Sequence, residues 1–387
     1  PTMTEKVLGF CLFALVLSAC GDPAGTGAGP TDPGTLPRLG VYAVGVDGSS
    51  FRLLLDPGTR DLTHVRKQPG GDWLTATRYN VDPDRNGLSM EIESGHPNNY
   101  AGAEIVVFPM SQPNAITKVA GAVPGKLCAN SSWTADGKLL FIQQDHPTNP
   151  DWTRFKRASF SALPTVANIE PVPAPPELLL PVDPHQVGPS DGTGSIVFAA
   201  LFQHPSGWMR PVWRMPAAGA TSLAGASFVG CPICPANNGC CAWPTFPEVL
   251  GANDPQLNHA GTDVIWMQQH PNVSAGSPRL YPYRQQKKPA SGPQVDLTPP
   301  GVAPLTSQTF AVWREDDREV VYWAIELEGT KVRQNLYRMN PDGTERRRIP
   351  IPAQLCASHP NYISATEIVF SAWRCAGTEC TCDVGKL

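Results

Sequence analysis

The segment Asp82-Pro83-Asp84-Arg85-Asn86-Gly87, with Glu93 beyond it, carries oxygen ligands at the spacing that a calcium ion takes. The pattern D-x-D-x-N-G-x5-E arranges alternate side chains and one backbone carbonyl around the ion, and the glycine permits the sharp turn. The expected ligands are Asp82, Asp84, Asn86, the backbone carbonyl of Leu88, and Glu93 as the closing carboxylate. Trp73 to Tyr79 reads as a strand and Ser94-Gly95-His96-Pro97 as a turn, so the helices of an EF-hand are missing. A plain Asp/Asn/Gly turn is the competing reading, and calcium here would fix a loop rather than drive catalysis.

Other residue types invite chemistry and mostly argue against it. Gly188-Pro189-Ser190-Asp191-Gly192 satisfies the serine-hydrolase pattern G-x-S-x-G. That motif needs a strand-to-helix elbow, whereas Ser195 to Leu201 reads as a strand, so a simple turn is expected. Three apolar strands end in histidine and proline, at His146, His204 and His270. Such histidines could hold a metal in a polysaccharide lyase. They follow the strand aromatics Phe141, Phe198 and Trp266 at unequal spacings, however, and the proline after each reads as a strand stop.

The chain has 11 cysteines; setting aside Cys11 and Cys20 leaves nine, namely Cys128, Cys231, Cys234, Cys240, Cys241, Cys356, Cys375, Cys380 and Cys382. In an exported chain these are disulfide candidates. Pro232 and Pro235 argue against the helix that a redox-active C-x-x-C needs. Nine is odd, so at least one thiol pairs outside the chain or not at all.

The elements that position these residues are strands. Helical apolar periodicity is nearly absent, and short β-branched and aromatic runs recur between Gly, Pro, Asn and Asp clusters. One unit, a polar extended stretch followed by a tight turn and an apolar strand, appears six times, at 63–79, 130–144, 183–201, 254–269, 307–325 and 359–373. Between copies lies a second hairpin, clearest in NLYRMNPDGTERRRI (335–349), where Asp342-Gly343 is expected to make a two-residue turn. Four-stranded units at this period predict an all-β, six-bladed β-propeller. The first element, 39–55, is an outer hairpin without an inner one, and the last copy is an inner hairpin without an outer one. Joined, they predict one shared blade closed by N- and C-terminal strands. Polar residues on the inner strands, among them His64, Arg66, Asn130, Asp183, His185, Asp254, Gln256, Gln308, His359 and Asn361, are expected to line the central channel.

Segments such as NSSWTADGKLLFIQQ and HPNYISATEIVFSAW resemble the repeats of the TolB-like propeller family, a periplasmic group. The resemblance covers roughly residues 38–375 and implies six blades, a protein-binding or scaffolding role, and no catalytic residues. At the front of the chain, Thr4-Glu5-Lys6 precedes an apolar run from Val7 to Leu17 that is too short for a membrane span. It ends in Leu17-Ser18-Ala19-Cys20, which resembles the lipobox of bacterial lipoproteins. That resemblance implies a signal peptide over 1–19, a lipid on Cys20, and a tether rich in Gly and Pro over 20–37. Gly21 after the cysteine implies sorting to the outer membrane, facing the periplasm or the cell surface.

The reading is therefore a lipid-anchored propeller over 38–375, with a cysteine-containing tail over 376–387. It is expected to act as a scaffold for an envelope protein, peptidoglycan or polysaccharide. The alternative is a carbohydrate-active, lyase-like enzyme using the histidines of one face. A net charge of −4 with no basic field argues against nucleic acid as a partner.

Overall fold

A computed structural model describes residues 36–37, 39–58, 60–81, 103–121, 126–145, 153–204, 207–230, 251–269, 283–298, 307–328, 331–374 and 382–383. The strands form six sheets of antiparallel neighbours, and each sheet is one blade of a six-bladed propeller. From the axis outward, blade 1 holds Arg60–Lys67, Trp73–Val81, Glu104–Pro109 and Thr117–Gly121. Blade 2 holds Lys126–Trp133, Leu139–Asp145, Thr153–Ala162 and Thr165–Val172. Blade 3 holds Leu179–Val187, Ser195–His204, Val212–Pro216 and Ser227–Gly230, with Gly207–Met209 against its second strand. Blade 4 holds Ala252–Leu257, Val264–Gln269, Tyr283–Lys288 and Val295–Asp296. Blade 5 holds Ser307–Trp313, Val320–Glu328, Lys331–Met339 and Arg347–Ile349, and Cys382–Asp383 adds to its third strand. Blade 6 joins Leu355–Tyr362 and Glu367–Arg374 to Leu39–Gly45 and Arg52–Leu55.

Blade 6 is thus the shared blade expected from the two incomplete chain ends. Leu39 through Gly45 pair without interruption against Trp373 through Glu367. The innermost strands touch in a complete ring, each meeting the next and that of blade 6 meeting that of blade 1. A closed ring leaves no blade with an uncovered face.

The second strand of each blade reads as an unbroken apolar run because both of its faces are covered. In blade 3, Ile196, Phe198 and Ala200 enter the core shared with blade 2, while Val197 enters the core shared with blade 4. In blade 5, Val321, Trp323 and Ile325 face blade 6, and Val320, Tyr322 and Ala324 face blade 4. Side chains alternate across a strand, so one apolar run fills two interfaces. Fully burying a side chain of this size contributes about 1.5–3 kcal/mol, and the fully buried Phe141, Phe198, Trp266, Tyr322 and Phe370 all sit on second strands.

The hairpin at 340–346 is wider than the two-residue turn expected there. Gly343 has a φ of +86°, but Asp342 does not share it. Asp342 instead accepts a hydrogen bond from the Thr344 N–H at 2.9 Å, which holds a longer loop between Met339 and Arg347.

Candidate functional site

Each innermost strand breaks register with its neighbour at the same place. Residue pairs 63/66, 129/132, 182/185, 253/256, 309/312 and 358/361 each bracket one more residue than the facing strand supplies. This is one β-bulge repeated six times. The first of the two bracketed residues is left-handed in every blade: His64 (φ 52°), Asn130 (54°), Asp183 (51°), Asp254 (48°), Phe310 (50°) and His359 (49°). Asn, Asp and His tolerate that conformation best among residues with a side chain, and Phe310 is the exception. A bulge re-aims the side chain that it carries. Pro184, Pro255 and Pro360 follow the bulge residue in three blades, where a missing N–H costs no ladder bond.

The six bulge side chains converge on the axis and divide it into two halves. Blades 5, 6 and 1 contribute stacked rings, with His359 4.1 Å from Phe310 and 4.2 Å from His64 between centroids. Blades 2, 3 and 4 contribute a polar chain, in which Asn130 donates to Asp183 and the Asp254 N–H donates to the second Asp183 oxygen at 3.2 Å. His64 Nε2 lies 3.9 Å from Asp254 Oδ1 across the axis, so opposite blades meet there. Arg210 approaches Asp183 to 3.8 Å from the end at which the inner strands begin.

Beyond this plug, at the end where inner strands turn into second strands, lies a cavity of about 310 Å³. Its walls are the residues two and three places after the bulge, including Arg66, His185, Gln256, Asn361, Trp133 and Trp313. Each indole N–H is already used, Trp133 donating to the Arg66 carbonyl at 3.2 Å and Trp313 to the Gln256 carbonyl at 3.3 Å. The rings therefore present apolar faces to the cavity. His185 Nδ1 accepts the Leu257 N–H at 3.1 Å, which puts the ring proton on Nε2. Burial, then the nearby charges of Arg66 and His259, hold the His185 pKa well below the usual imidazole value, so the ring is neutral.

Of the polar residues expected along the channel, nine reach the plug or the cavity wall. Gln308 does not: its side chain is fully buried, and neither amide atom has a hydrogen-bond partner among the described residues. The aromatic residues Trp133, Trp313 and Tyr362 were missing from the expected lining. Their signal is present in the repeat itself, since each stands three residues after a bulge residue in NSSW, FAVW and HPNY.

The other expected sites fall as follows. Ser190 sits in the turn between the first two strands of blade 3 and donates to Asp136 Oδ1 at 2.8 Å, as a blade turn requires. His204 ends a strand opposite Gly207, while His146 and His270 lie outside the described residues. Among the described residues, no group of three His, Cys, Asp or Glu side chains could hold a metal. Asp82, Asp84, Asn86, Leu88 and Glu93 lie outside the described residues, as do Cys20, Cys231, Cys234, Cys240, Cys241, Cys375 and Cys380. Cys128 is buried and packs with Trp133 and Phe141 between blades 1 and 2. Cys356 is buried beside Leu39 and Trp373 in the closing blade.

No protein-family model matches the chain, and no curated protein matches it. Among solved structures, it is similar to TolB from Acinetobacter baumannii at 13% identity and a TM-score of 0.49, over 81% of this chain and 64% of that one. It is similar to oligogalacturonate lyase from Vibrio parahaemolyticus at 13% identity and a TM-score of 0.42, over 83% and 76% of the two chains. A nidogen/laminin complex is similar at 8% identity and a TM-score of 0.44, over 80% and 91%. The chain thus spans just under two thirds of the TolB chain. Likeness at this level leaves the site to be read from this chain's own residues.

Proposed function

We propose that the chain is an envelope-anchored binding module, lipidated at Cys20, that presents its axial cavity to a protein or small ligand. One observation carries the reading. Leu39, where the tether would join the propeller, pairs with Trp373 at the end of the blades opposite the cavity mouth. A lipid on the tether would then leave the cavity facing away from the membrane, toward whatever it binds. The wall combines apolar ring faces with a few convergent polar groups, which is the composition of a recognition pocket.

Two measurements test this function. Metabolic labelling with a fatty-acid analogue should mark the wild-type chain and leave Cys20→Ala unlabelled; equal labelling of both refutes the anchor. The full chain in mild detergent, used as bait in envelope extract beside a screen of acidic polysaccharides, should retain a partner that Trp313→Ala loses. Specific sugar cleavage abolished by His204→Ala would replace the binding module with a lyase.

A further inference from the structure

Arg66 carries five N–H donors, yet among the described residues it makes one long hydrogen bond, Nη1 to Gln256 Oε1 at 3.4 Å. The carboxylates closest to it are held elsewhere: Asp254 faces His64 at 3.9 Å, and Asp183 faces Arg210 at 3.8 Å and accepts from Asn130. His185 offers Nε2–H, since its Nδ1 is committed to Leu257. The amides of Gln256 and Asn361 add further donors on the same wall. Lys67 and Glu315 stand at the rim with opposite charges, and His259 there is paired with Asp317 at 2.9 Å. Donors converge on the cavity, flanked by two indole faces that have no polar atom left to offer.

We propose that the axial cavity binds a carboxylate, with Arg66 and His185 holding its oxygens and Trp133 and Trp313 packing against the apolar group beside it. The inference rests on the binding-module reading and narrows it to one ligand chemistry. A planar guanidinium matches a carboxylate with two parallel N–H bonds, and charge-assisted bonds of this kind are the strong ones. Burial pushes the Arg66 pKa down to about 10 against the attraction of Asp254 and Asp183, so the guanidinium stays charged at a desolvation cost. An anion held directly against the guanidinium would offset that cost. A neutral His185 adds a donor without a second buried cation to desolvate.

Calorimetry on the full chain in detergent tests the proposal with N-acetyl-phenylalanine and its carboxamide, which differ only in the charged group. The acid should bind at one site and at least tenfold tighter than the amide. Asn361→Asp is nearly isosteric and should keep the parent melting temperature while weakening the acid at least tenfold, because it sets a second anion in the cavity. Arg66→Gln should abolish the preference for acid over amide. Three further probes separate sources of the carboxylate: an end-blocked peptide with an internal glutamate, a peptide with a free C-terminus, and galacturonate. Equal affinity for acid and amide, no saturable binding of any acid, or inorganic phosphate binding tighter than every acid would overturn the proposal. An envelope partner still retained by Asn361→Asp and Arg66→Gln, but lost by Trp313→Ala, would leave the binding module standing and remove the carboxylate.

Discussion

The two ends of this propeller are built differently. At the cavity end every connection from a first to a second strand is a short turn: 68–72, 134–138, 188–194, 258–263, 314–319 and 363–366. Neighbouring turns are tied to one another. Asp136 accepts from the Ser190 N–H and hydroxyl at 3.2 and 2.8 Å, and Asp317 accepts from the His259 and Ala260 N–H groups at 2.8 and 2.9 Å. At the opposite end second strands give way to third strands, and Leu39 and Arg374 lie there. The calcium pattern, His146, His270 and the C-x-x-C fall in sequence between strands that end and begin there, and lie outside the described residues. Residue types that attract notice in the sequence thus lie outside the described residues, while the cavity that the fold preorganises is walled by described ones.

The largest effect is expected from breaking the closure that both ends share. Deleting 39–55 removes Tyr42 and Val44 from one blade interface and Val41 and Ala43 from the next. It also bares the edge of Glu367–Arg374. The truncated chain should lose its cooperative thermal transition in circular dichroism rather than shed one independent hairpin. A folded monomer with a normal melt would show that the ring does not need its closing blade.

How much of this was legible follows from which interactions are local. The six copies and the shared blade could be read because alternation and turn residues are written into each segment. The closing register needed only the observation that the two ends were incomplete in complementary ways. The bulge was harder: its φ values sit on His, Asn, Asp and Phe rather than on glycine, so no residue type announces it. Only Pro184, Pro255 and Pro360 mark its place. The cavity was half visible. Arg66, His185, Gln256 and Asn361 read as polar residues on inner strands, but which of them share one wall depends on opposite blades meeting across the axis, a contact between residues nearly two hundred positions apart in the case of Arg66 and Gln256.

Smaller effects should separate the tied turns from the rest of the molecule. Asp317→Ala removes the carboxylate that gathers the blade 4 turn and should cost about 2 kcal/mol in urea denaturation. Asp136 sits at the equivalent tie between blades 2 and 3. Burial raises its pKa, but hydrogen bonds from Thr134, Ser190 and Lys138 more than reverse this and bring it down to about 2. A depressed carboxylate stabilises the fold above its unfolded pKa of 3.8, and that contribution is lost as pH falls through 2. Because the side chain is 31% exposed, screening reduces the effect to the order of 1 kcal/mol. Asp136→Ala should therefore lower stability by that amount at pH 7 and make no difference near pH 1.5. A difference that persists undiminished at pH 1.5 would mean that the carboxylate charge is not what ties the turn.

The smallest effect on stability is expected from the proposed calcium ligands Asp82, Asp84, Asn86, the Leu88 carbonyl and Glu93, which lie outside the described residues. These residues follow the second strand of blade 1, which stays paired to the first and third strands through its own backbone. An ion held in such a connection stabilises the folded chain by RT ln(1 + [Ca²⁺]/Kd), so a millimolar site studied at millimolar calcium contributes on the order of 0.5 kcal/mol. Calorimetry should detect one site that Asp82→Ala with Asp84→Ala removes. In calcium-free buffer the double variant should melt with the parent, because no strand pairing depends on these carboxylates. Carboxylate binding in the axial cavity should also be indifferent to calcium, since none of these ligands is among the residues that wall that cavity. Absence of binding at millimolar calcium, or binding untouched by the double variant, would end the calcium assignment. A calcium-dependent change in affinity at the cavity would instead show that the two sites are coupled, and the plug of His64, His359, Asp254 and Asp183 would be the place to look for the link.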